Sequence, residues 1–139
     1  MTERDFEIAG LGEIAIRCAD MEAMKAFYGD LLGLKPLSGN SNPDIQFFRI
    51  AEGVAGHTAV LALFHQPGHV LVPGSSSLHH LALSLPYAGQ EAAIEWFERQ
   101  GVTYRIENFD WVGWRGVFVK DPEGNTVELV AFDPGHADH

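Results

Sequence analysis

The chain has 139 residues, of which 46% are hydrophobic and 20% are charged, and its formal net charge is −10 at pH 7. This length and composition indicate one globular domain rather than a disordered segment. Nine Lys and Arg residues against 19 Asp and Glu residues provide no basic stripe for a phosphate backbone, so no nucleic-acid partner is expected. No basic leader and no run approaching about 18 apolar residues is present, so the sequence predicts a cytoplasmic protein without membrane contact.

The first half of the chain predicts the order βαβββ. A short strand covers Glu13 to Cys18, and Asp20 is placed to cap the helix that follows. The helix is predicted from apolar residues at three- and four-residue intervals, and Gly33 ends it. These apolar residues are Met21, Met24, Phe27, Tyr28, Leu31 and Leu32. The three strands that complete this half are Leu34 to Leu37, Ile45 to Ile50 and Ala59 to His65.

The second half repeats this order, with a helix from Gln90 to Gln100 that ends at Gly101. Its four strands are His79 to Leu85, Val102 to Glu107, Arg115 to Lys120 and Thr126 to Phe132. The segment EIAIR at 13–17 corresponds to HLALS at 80–84, and EAMKAFY at 22–28 corresponds to EAAIEWF at 91–97. We therefore predict a single α+β domain, residues 1–139, made of two βαβββ repeats at about 11–66 and 78–133.

Polar side chains alternate with apolar ones in the strands that open each half. Glu13 and Arg17 share one face of the first strand, and His80 and Ser84 share the corresponding face of the fifth. Glu128 stands alone among hydrophobic residues in the last strand, and a carboxylate there needs a metal, a cation or a substrate as its partner. If the repeats are related by a pseudo-twofold axis, Glu13 and His80 become equivalent, and Glu128 can converge on them.

Aromatic residues of the seventh strand are candidate pocket residues. Phe118, Gly116 and Trp114 share a face in the alternation that leads back from the DPEGN turn at 121–125. Trp114 suits the wall of a pocket for an apolar or cationic ligand, and packing at a dimer interface is an equal alternative. The turn itself is predicted to fix the hairpin and so to position Glu128.

The adjacent residues His79 and His80 are predicted to point to opposite faces of their strand. Only one of them could then bind a given ion. His80 is the one that shares the polar face.

With these motifs the chain resembles the vicinal oxygen chelate superfamily, which includes glyoxalases, extradiol dioxygenases and bleomycin-resistance proteins. The matching segments are IAIRCADMEAMKAFYGDLLGL at 14–34, LHHLAL at 78–83 and KDPEGNTVEL at 120–129. The resemblance implies two βαβββ modules that form a curved mixed sheet, a cup around a divalent metal. It also implies a homodimer that acts on a small molecule.

The usual metal ligands of this family are a His opening the first strand, a His opening the fifth and a Glu in the last. By resemblance they fall on Glu13, His80 and Glu128, and Glu13 departs from the pattern. Two carboxylates and one imidazole still suit zinc, manganese, nickel or iron ions. Glyoxalase-type members add an acidic residue in the strand that closes the first module. The segment 58–65 has none, so a four-ligand glyoxalase site is not expected.

Two functions remain open as hypotheses. The first is a metal-dependent lyase, isomerase or group-transfer enzyme acting on vicinal oxygens, with Glu128 or Glu13 as the catalytic base. Its substrate-pocket candidates are Arg17, Trp114 and Phe118. The second is a metal-free protein that sequesters a small molecule, as bleomycin-resistance proteins do. Glu13 would then be solvated, His80 a core histidine and Glu128 paired with an arginine such as Arg17.

Overall fold

The computed structural model of the chain describes residues 4–136. The chain divides into two compact units between Val70 and Leu71, and each unit carries one four-stranded mixed sheet. The predicted α+β fold of two tandem βαβββ modules is confirmed. Within residues 4–136, no helix is both long enough and apolar enough to span a membrane.

The first unit contains β1 (Glu13–Cys18), β2 (Lys35–Pro36), β3 (Ile45–Val54) and β4 (His57–His65), in the sheet order β1-β4-β3-β2. β1 and β4 run parallel, and the other neighbours are antiparallel. The strand predicted at Leu34 to Leu37 is shortened to two residues. Pro36 has no N–H to donate to a longer ladder, which accounts for the short strand.

The helical segment of the first unit begins as α1 (Met21–Lys25) and continues as a π-helix, Ala26–Leu31. Asp20 caps it as predicted, because its Oδ1 accepts a backbone N–H of the first turn at 3.0 Å. A uniform α-helix is wrong for the second part. There the wider π turn carries two adjacent aromatic residues, Phe27 and Tyr28, that are both buried and whose rings meet edge to face at 4.9 Å.

The second unit repeats the topology of the first. It contains β5 (Leu81–Ser84), α2 (Tyr87–Gln100), β6 (Arg105–Phe109), β7 (Trp114–Lys120) and β8 (Thr126–Phe132). The sheet order is β5-β8-β7-β6, and the pair β5 and β8 is parallel, as β1 and β4 are. The internal repeat predicted from the sequence is thus present as two sheets with the same strand order.

α2 covers one face of the second sheet and is fixed there by Gln90, which is fully buried. The Nε2 of Gln90 donates to the carbonyl oxygens of Arg115 at 2.7 Å and of Leu129 at 3.0 Å. Its Oε1 accepts a hydrogen bond from Nε of Arg115 at 2.7 Å. The Arg115 guanidinium also lies over the ring of Tyr87, 4.3 Å from its centroid. Because α2 occupies this face, the opposite one, with Glu128, is left for a site.

Candidate functional site

The face of the second sheet opposite α2, which we call the Glu128 face, is formed by alternate residues of β6, β7 and β8. The register places Glu128 opposite Phe118, and Phe118 opposite Arg105. Strand alternation adds Gly116 and Trp114 to the same face. The predicted common face of Trp114, Gly116 and Phe118 is confirmed.

Glu128 is buried, with 5% of its surface exposed, and its carboxylate meets His80. The Nε2 atom of His80 lies 3.1 Å from Oε1 of Glu128. The contact is an ion pair when the imidazole is protonated and a hydrogen bond when the neutral ring carries its proton on Nε2. The side chain of His80 is 34% exposed, so the pair is accessible to a ligand from the imidazole side.

Gly116 provides the space that the Glu128 carboxylate occupies. A Cβ atom at position 116 would clash with Oε2 of Glu128 and would lie only 2.8 Å from Cε2 of Phe118. Any larger residue at this position would therefore have to displace the carboxylate, the aromatic ring or the strand.

The turn between β7 and β8 is held by Asp121, which is buried. Its Oδ1 accepts the backbone N–H groups of Glu123 and Asn125, both at 2.9 Å. The N–H of Gly124 donates to the Asp121 carbonyl at 3.0 Å, and Gly124 has a positive φ of 92°. The predicted turn between these strands is thus present, and it fixes the register that sets Glu128 opposite Phe118.

His79 lies beside His80 rather than across the sheet from it. β5 begins at Leu81, so both histidines precede the strand, and their Nδ1 atoms are 2.8 Å apart. The prediction that they point to opposite faces is wrong, because side-chain alternation holds only within the strand. The contact between the two rings fixes the orientation of His80, as a hydrogen bond to the second ring nitrogen commonly does in metal-binding histidines.

In the first unit, Glu13 and Arg17 lie on the exposed face of β1. Ile16 and Cys18 on the other face are buried, which confirms the predicted alternation. Glu13 and Arg17 therefore share a face, as expected. Their roles as a metal ligand and a pocket residue stay predictions.

The register also locates the counterpart of Glu128 in the first unit. β1 pairs Ala15 with Ala62, and β5 pairs Ala82 with Glu128. Positions 15 and 82 correspond in the repeat, so Ala62 stands where the second unit has Glu128. β4 contains no Asp or Glu, so neither Ala62 nor any other residue of this strand offers a carboxylate.

Among residues 4–136, no group of three or more His, Cys, Asp or Glu side chains is placed to hold a metal ion. His80 and Glu128 nevertheless form a suitable pair of donors. Two donors that are each about 2.0 to 2.2 Å from one ion stand roughly 3 Å apart at octahedral angles. The two atoms here are 3.1 Å apart, and imidazole nitrogen with carboxylate oxygen suits zinc, manganese, nickel or iron. Glu13 as a third ligand stays a prediction.

Two other residues of this face are Trp114, which stays a predicted pocket or interface residue, and Arg105. Trp114 is 45% exposed, and its ring lies 6.3 Å from that of Trp111. Arg105 was not predicted as a site residue, yet its guanidinium lies 4.1 Å from the centroid of the Phe118 ring. The β6–β7 register is what brings Arg105 opposite Phe118, and the strand boundary predicted for β6 was too imprecise to show it.

Two βαβββ modules in tandem, each with a four-stranded mixed sheet, define the glyoxalase-like class of proteins. The chain belongs to the Glyoxalase/Bleomycin resistance protein/Dioxygenase superfamily, whose sequence profile matches residues 10–129. The resemblance found in the sequence motifs is confirmed.

Individual relatives lie within this superfamily. A lactoylglutathione lyase of Salmonella typhimurium is 29% identical over 119 residues, which cover 83% of this chain and 87% of that protein. The structure of a glyoxalase/dioxygenase from Nostoc punctiforme has a TM-score of 0.71 at 21% identity and covers 95% of this chain and 99% of its own. That of a lactoylglutathione lyase from Agrobacterium tumefaciens has a TM-score of 0.64 at 21% identity, covering 90% and 95%. These structures share the fold of this chain.

Proposed function

We propose that the protein is a small metal-dependent enzyme that carries out lyase, isomerase or group-transfer chemistry on a small molecule with vicinal oxygens. The observation that carries this proposal is the 3.1 Å contact between His80 Nε2 and the carboxylate of the buried Glu128. The relation to a lactoylglutathione lyase supports chemistry of the lyase type.

The proposed ligands are His80, Glu128 and Glu13. A bound divalent ion would supply Lewis-acid polarisation of two substrate oxygens. Two carboxylates and one imidazole form a harder and more anionic donor set than two histidines and one carboxylate. This set favours manganese or zinc over the open iron site of an oxygenase.

The residues around the pair prepare it for this role. The Nδ1 of His80 is engaged by His79, which leaves Nε2 as the ring nitrogen directed at Glu128. Phe118 covers the carboxylate from the neighbouring strand and is itself 7% exposed. Shielding from bulk water strengthens the electrostatic interactions of Glu128, which makes it a better candidate than the exposed Glu13 to hold and move a proton.

The four-ligand arrangement is not part of this proposal. Ala62 has no donor atom in its side chain, and it occupies the position that corresponds to Glu128 in the other repeat. We therefore propose a reaction class that is broader than the lactoylglutathione lyase activity named for the Salmonella typhimurium relative.

The proposal is tested by elemental analysis of protein purified without chelator. We expect about one divalent ion per chain in the wild type, and its loss in His80→Ala and in Glu128→Gln, since removing a direct ligand costs more than the 10- to 100-fold typical of an outer partner. His69→Ala is the matched control, because its only described hydrogen bond is made by the backbone N–H. Wild-type protein without stoichiometric metal would contradict the proposal of a metal-dependent enzyme.

A metal-free binding protein of the bleomycin-resistance type is the second candidate. The direct contact of His80 with Glu128 favours it, since a protonated imidazole compensates a buried carboxylate without an ion. This candidate predicts no metal in any variant. It also predicts that a small aromatic or cationic ligand quenches the fluorescence of Trp114, which is partly exposed on the Glu128 face.

A further inference from the structure

A cavity of about 360 Å³ opens at the Lys120 end of the Glu128 face. Its walls come from the segment 71–78 and from the strand residues Arg105, Phe118, Lys120 and Thr126, all of which belong to the second unit. A neighbouring cavity of about 320 Å³ shares those four strand residues. No Asp or Glu occurs among the described residues that line either cavity.

This local balance of charge is the reverse of that of the whole chain. The sequence has only nine Lys and Arg residues against 19 Asp and Glu, and two of the nine line both cavities. The other cations in the described part of the second unit are engaged with α2. Arg115 contacts Gln90 and Glu91, and Arg99 lies over the ring of Trp96. Arg105 is paired with Glu107, so Arg105 and Lys120 together leave a net positive charge at the cavities, and such a basic site on an acidic protein attracts anions.

Both cations keep donors for a ligand. Arg105 uses Nη1 to contact Oε2 of Glu107 at 2.6 Å, and a guanidinium has further N–H groups on Nε and on Nη2. Lys120 donates from Nζ to the Thr126 hydroxyl at 2.6 Å, and an ammonium group has three donors. A planar guanidinium with a nearby ammonium matches the oxygens of a carboxylate or a phosphate.

The basic site is connected to the proposed metal ligands through one aromatic ring. The guanidinium of Arg105 lies 4.1 Å from the centroid of Phe118, and the ring of His80 meets the same ring edge to face at 6.0 Å. His79, which contacts His80, also lines the larger cavity. A small molecule that lies across the Phe118 ring can thus contact both the basic site and the pair of His80 and Glu128.

We propose that Arg105 and Lys120 bind an anionic group of the substrate, a carboxylate or a phosphate, while its vicinal oxygens face His80 and Glu128. The substrate class is then a small organic anion rather than the cationic ligand that the net charge alone would favour. This inference rests on the proposed function for the position of the vicinal oxygens. The anion site itself needs no metal.

The test is a titration of chelator-treated, metal-free protein with inorganic phosphate and, separately, with acetate, followed by amide chemical shifts at constant ionic strength. We expect shifts confined to residues 71–78 and to the neighbourhood of positions 105, 120 and 126. Each of Arg105→Gln and Lys120→Gln should weaken binding about tenfold or more, because a charge-assisted hydrogen bond is lost. Arg99→Gln removes the same charge outside the cavities and should leave binding unchanged.

The two probes separate the possible sources of the anionic group. Tighter binding of phosphate assigns a phosphorylated substrate, and tighter binding of acetate assigns a carboxylic acid. Shifts spread over the whole chain, or equal weakening by Arg99→Gln, would overturn the proposal.

The metal content of the wild-type protein, purified without chelator, keeps this test distinct from that of the proposed function. If phosphate binds but the wild type holds no metal, the anion site stands and the enzyme proposal fails. If the wild type holds metal but neither anion binds, only the anion site fails.

Discussion

Gly116 is the residue on which the position of the Glu128 carboxylate depends most directly. We predict that Gly116→Ala lowers the free energy of unfolding by about 1–3 kcal/mol, since the added methyl group overpacks a buried site. It should also lower metal affinity at least about tenfold, because the carboxylate must leave its place beside His80. Denaturant unfolding and a metal titration measure the two effects.

Gly10→Ala is the control for replacing a glycine. A Cβ at position 10 would have only an ordinary contact, 3.4 Å from a methyl group of Val54. It should leave metal affinity unchanged. If Gly116→Ala kept the metal affinity of the wild type, the added methyl group would not displace the Glu128 carboxylate, which would contradict this prediction.

At the scale of single residues, the sequence indicates the donors but not what positions them. Glu128 could be identified because a lone acid in an apolar strand is conspicuous, and His80 because the repeat makes it the counterpart of Glu13. The role of Gly116 depends on a cross-strand neighbour that only the register of β7 and β8 supplies. The contact of His79 with His80 depends on where β5 begins, and strand boundaries are what sequence patterns predict least well.

At the scale of elements, α2 is attached to the second sheet by a polar contact as well as by apolar packing. Gln90 makes three hydrogen bonds, at 2.7, 3.0 and 2.7 Å, while being fully buried. We predict that Gln90→Met lowers the free energy of unfolding by about 2–4 kcal/mol, because two carbonyl oxygens and a guanidinium N–H lose their hydrogen-bond partner in buried or partly buried positions. Denaturant unfolding measures this change.

Gln100→Met is the matched control, since Gln100 is exposed in the last turn of the same helix. Its effect should stay within about 0.5 kcal/mol. Equal losses in the two variants would mean that Gln90 acts through helix propensity and not through its buried hydrogen bonds.

The segment that follows α2 carries a titratable contact. The hydroxyl of Tyr104 donates to Oε1 of Glu98 at 2.8 Å, and this hydrogen bond, with smaller contributions from desolvation and from the charges of Glu98 and Glu91, raises the pKa of Tyr104 above its ordinary value of 10.0. The folded state thus holds the proton more tightly than the unfolded state. The contribution to stability is present below pH 10 and is lost as the pH rises through the folded-state pKa.

We predict that Glu98→Gln shifts the titration of Tyr104 to lower pH, because the acceptor charge is removed. The ultraviolet absorbance of the phenolate follows the titration, and Tyr104→Phe identifies which of the transitions belongs to this residue. Glu95→Gln removes a charge from the same helix at another exposed position and should leave the titration in place. A titration of Tyr104 that is equally displaced in both variants would assign the effect to net charge alone.

The elements also show which parts of the fold a sequence can predict. β1 and β8 have the predicted boundaries, because the apolar alternation of β1 and the largely apolar run of β8 are each bounded by turn residues. The π-helical segment Ala26–Leu31 was not predicted, since its apolar spacing is the same as that of an α-helix. The feature that sets this segment apart is a tertiary contact. A Cβ at Gly29 would lie 3.1 Å from Phe48, so the helix approaches β3 closely at this point.

At the scale of the whole molecule, the two units share a topology but not a set of donors. The second unit pairs a His with a Glu, whereas the corresponding positions of the first hold Glu13 and Ala62. Repetition therefore accounts for the fold, and divergence between the repeats accounts for the different donors of the two units. The family could be identified from the repeated motifs, whereas the complete set of proposed ligands could not, because the donor positions differ between the repeats.

The homodimer implied by the family resemblance stays a prediction, and the second unit offers a surface on which to test it. Trp111 is 82% exposed, and beside it Trp114 is 45% and Phe132 is 39% exposed. Exposed aromatic groups of this kind are typical of the centre of an interface between subunits. We predict a dimer by light scattering, and a Trp111→Ser protein that dissociates at a concentration at which the wild type does not.

Phe6→Ser separates this surface from other exposed apolar groups, because Phe6 lies in the first unit and is 67% exposed. Dissociation by Phe6→Ser instead of Trp111→Ser would move the interface to the first unit and leave Trp114 free to line the substrate pocket. Dissociation by Trp111→Ser together with unchanged ligand binding would assign Trp114 to the interface, since the two indoles are neighbours 6.3 Å apart. A wild type that is monomeric at every concentration would contradict the dimer, and the tryptophan pair would then be available only to a ligand.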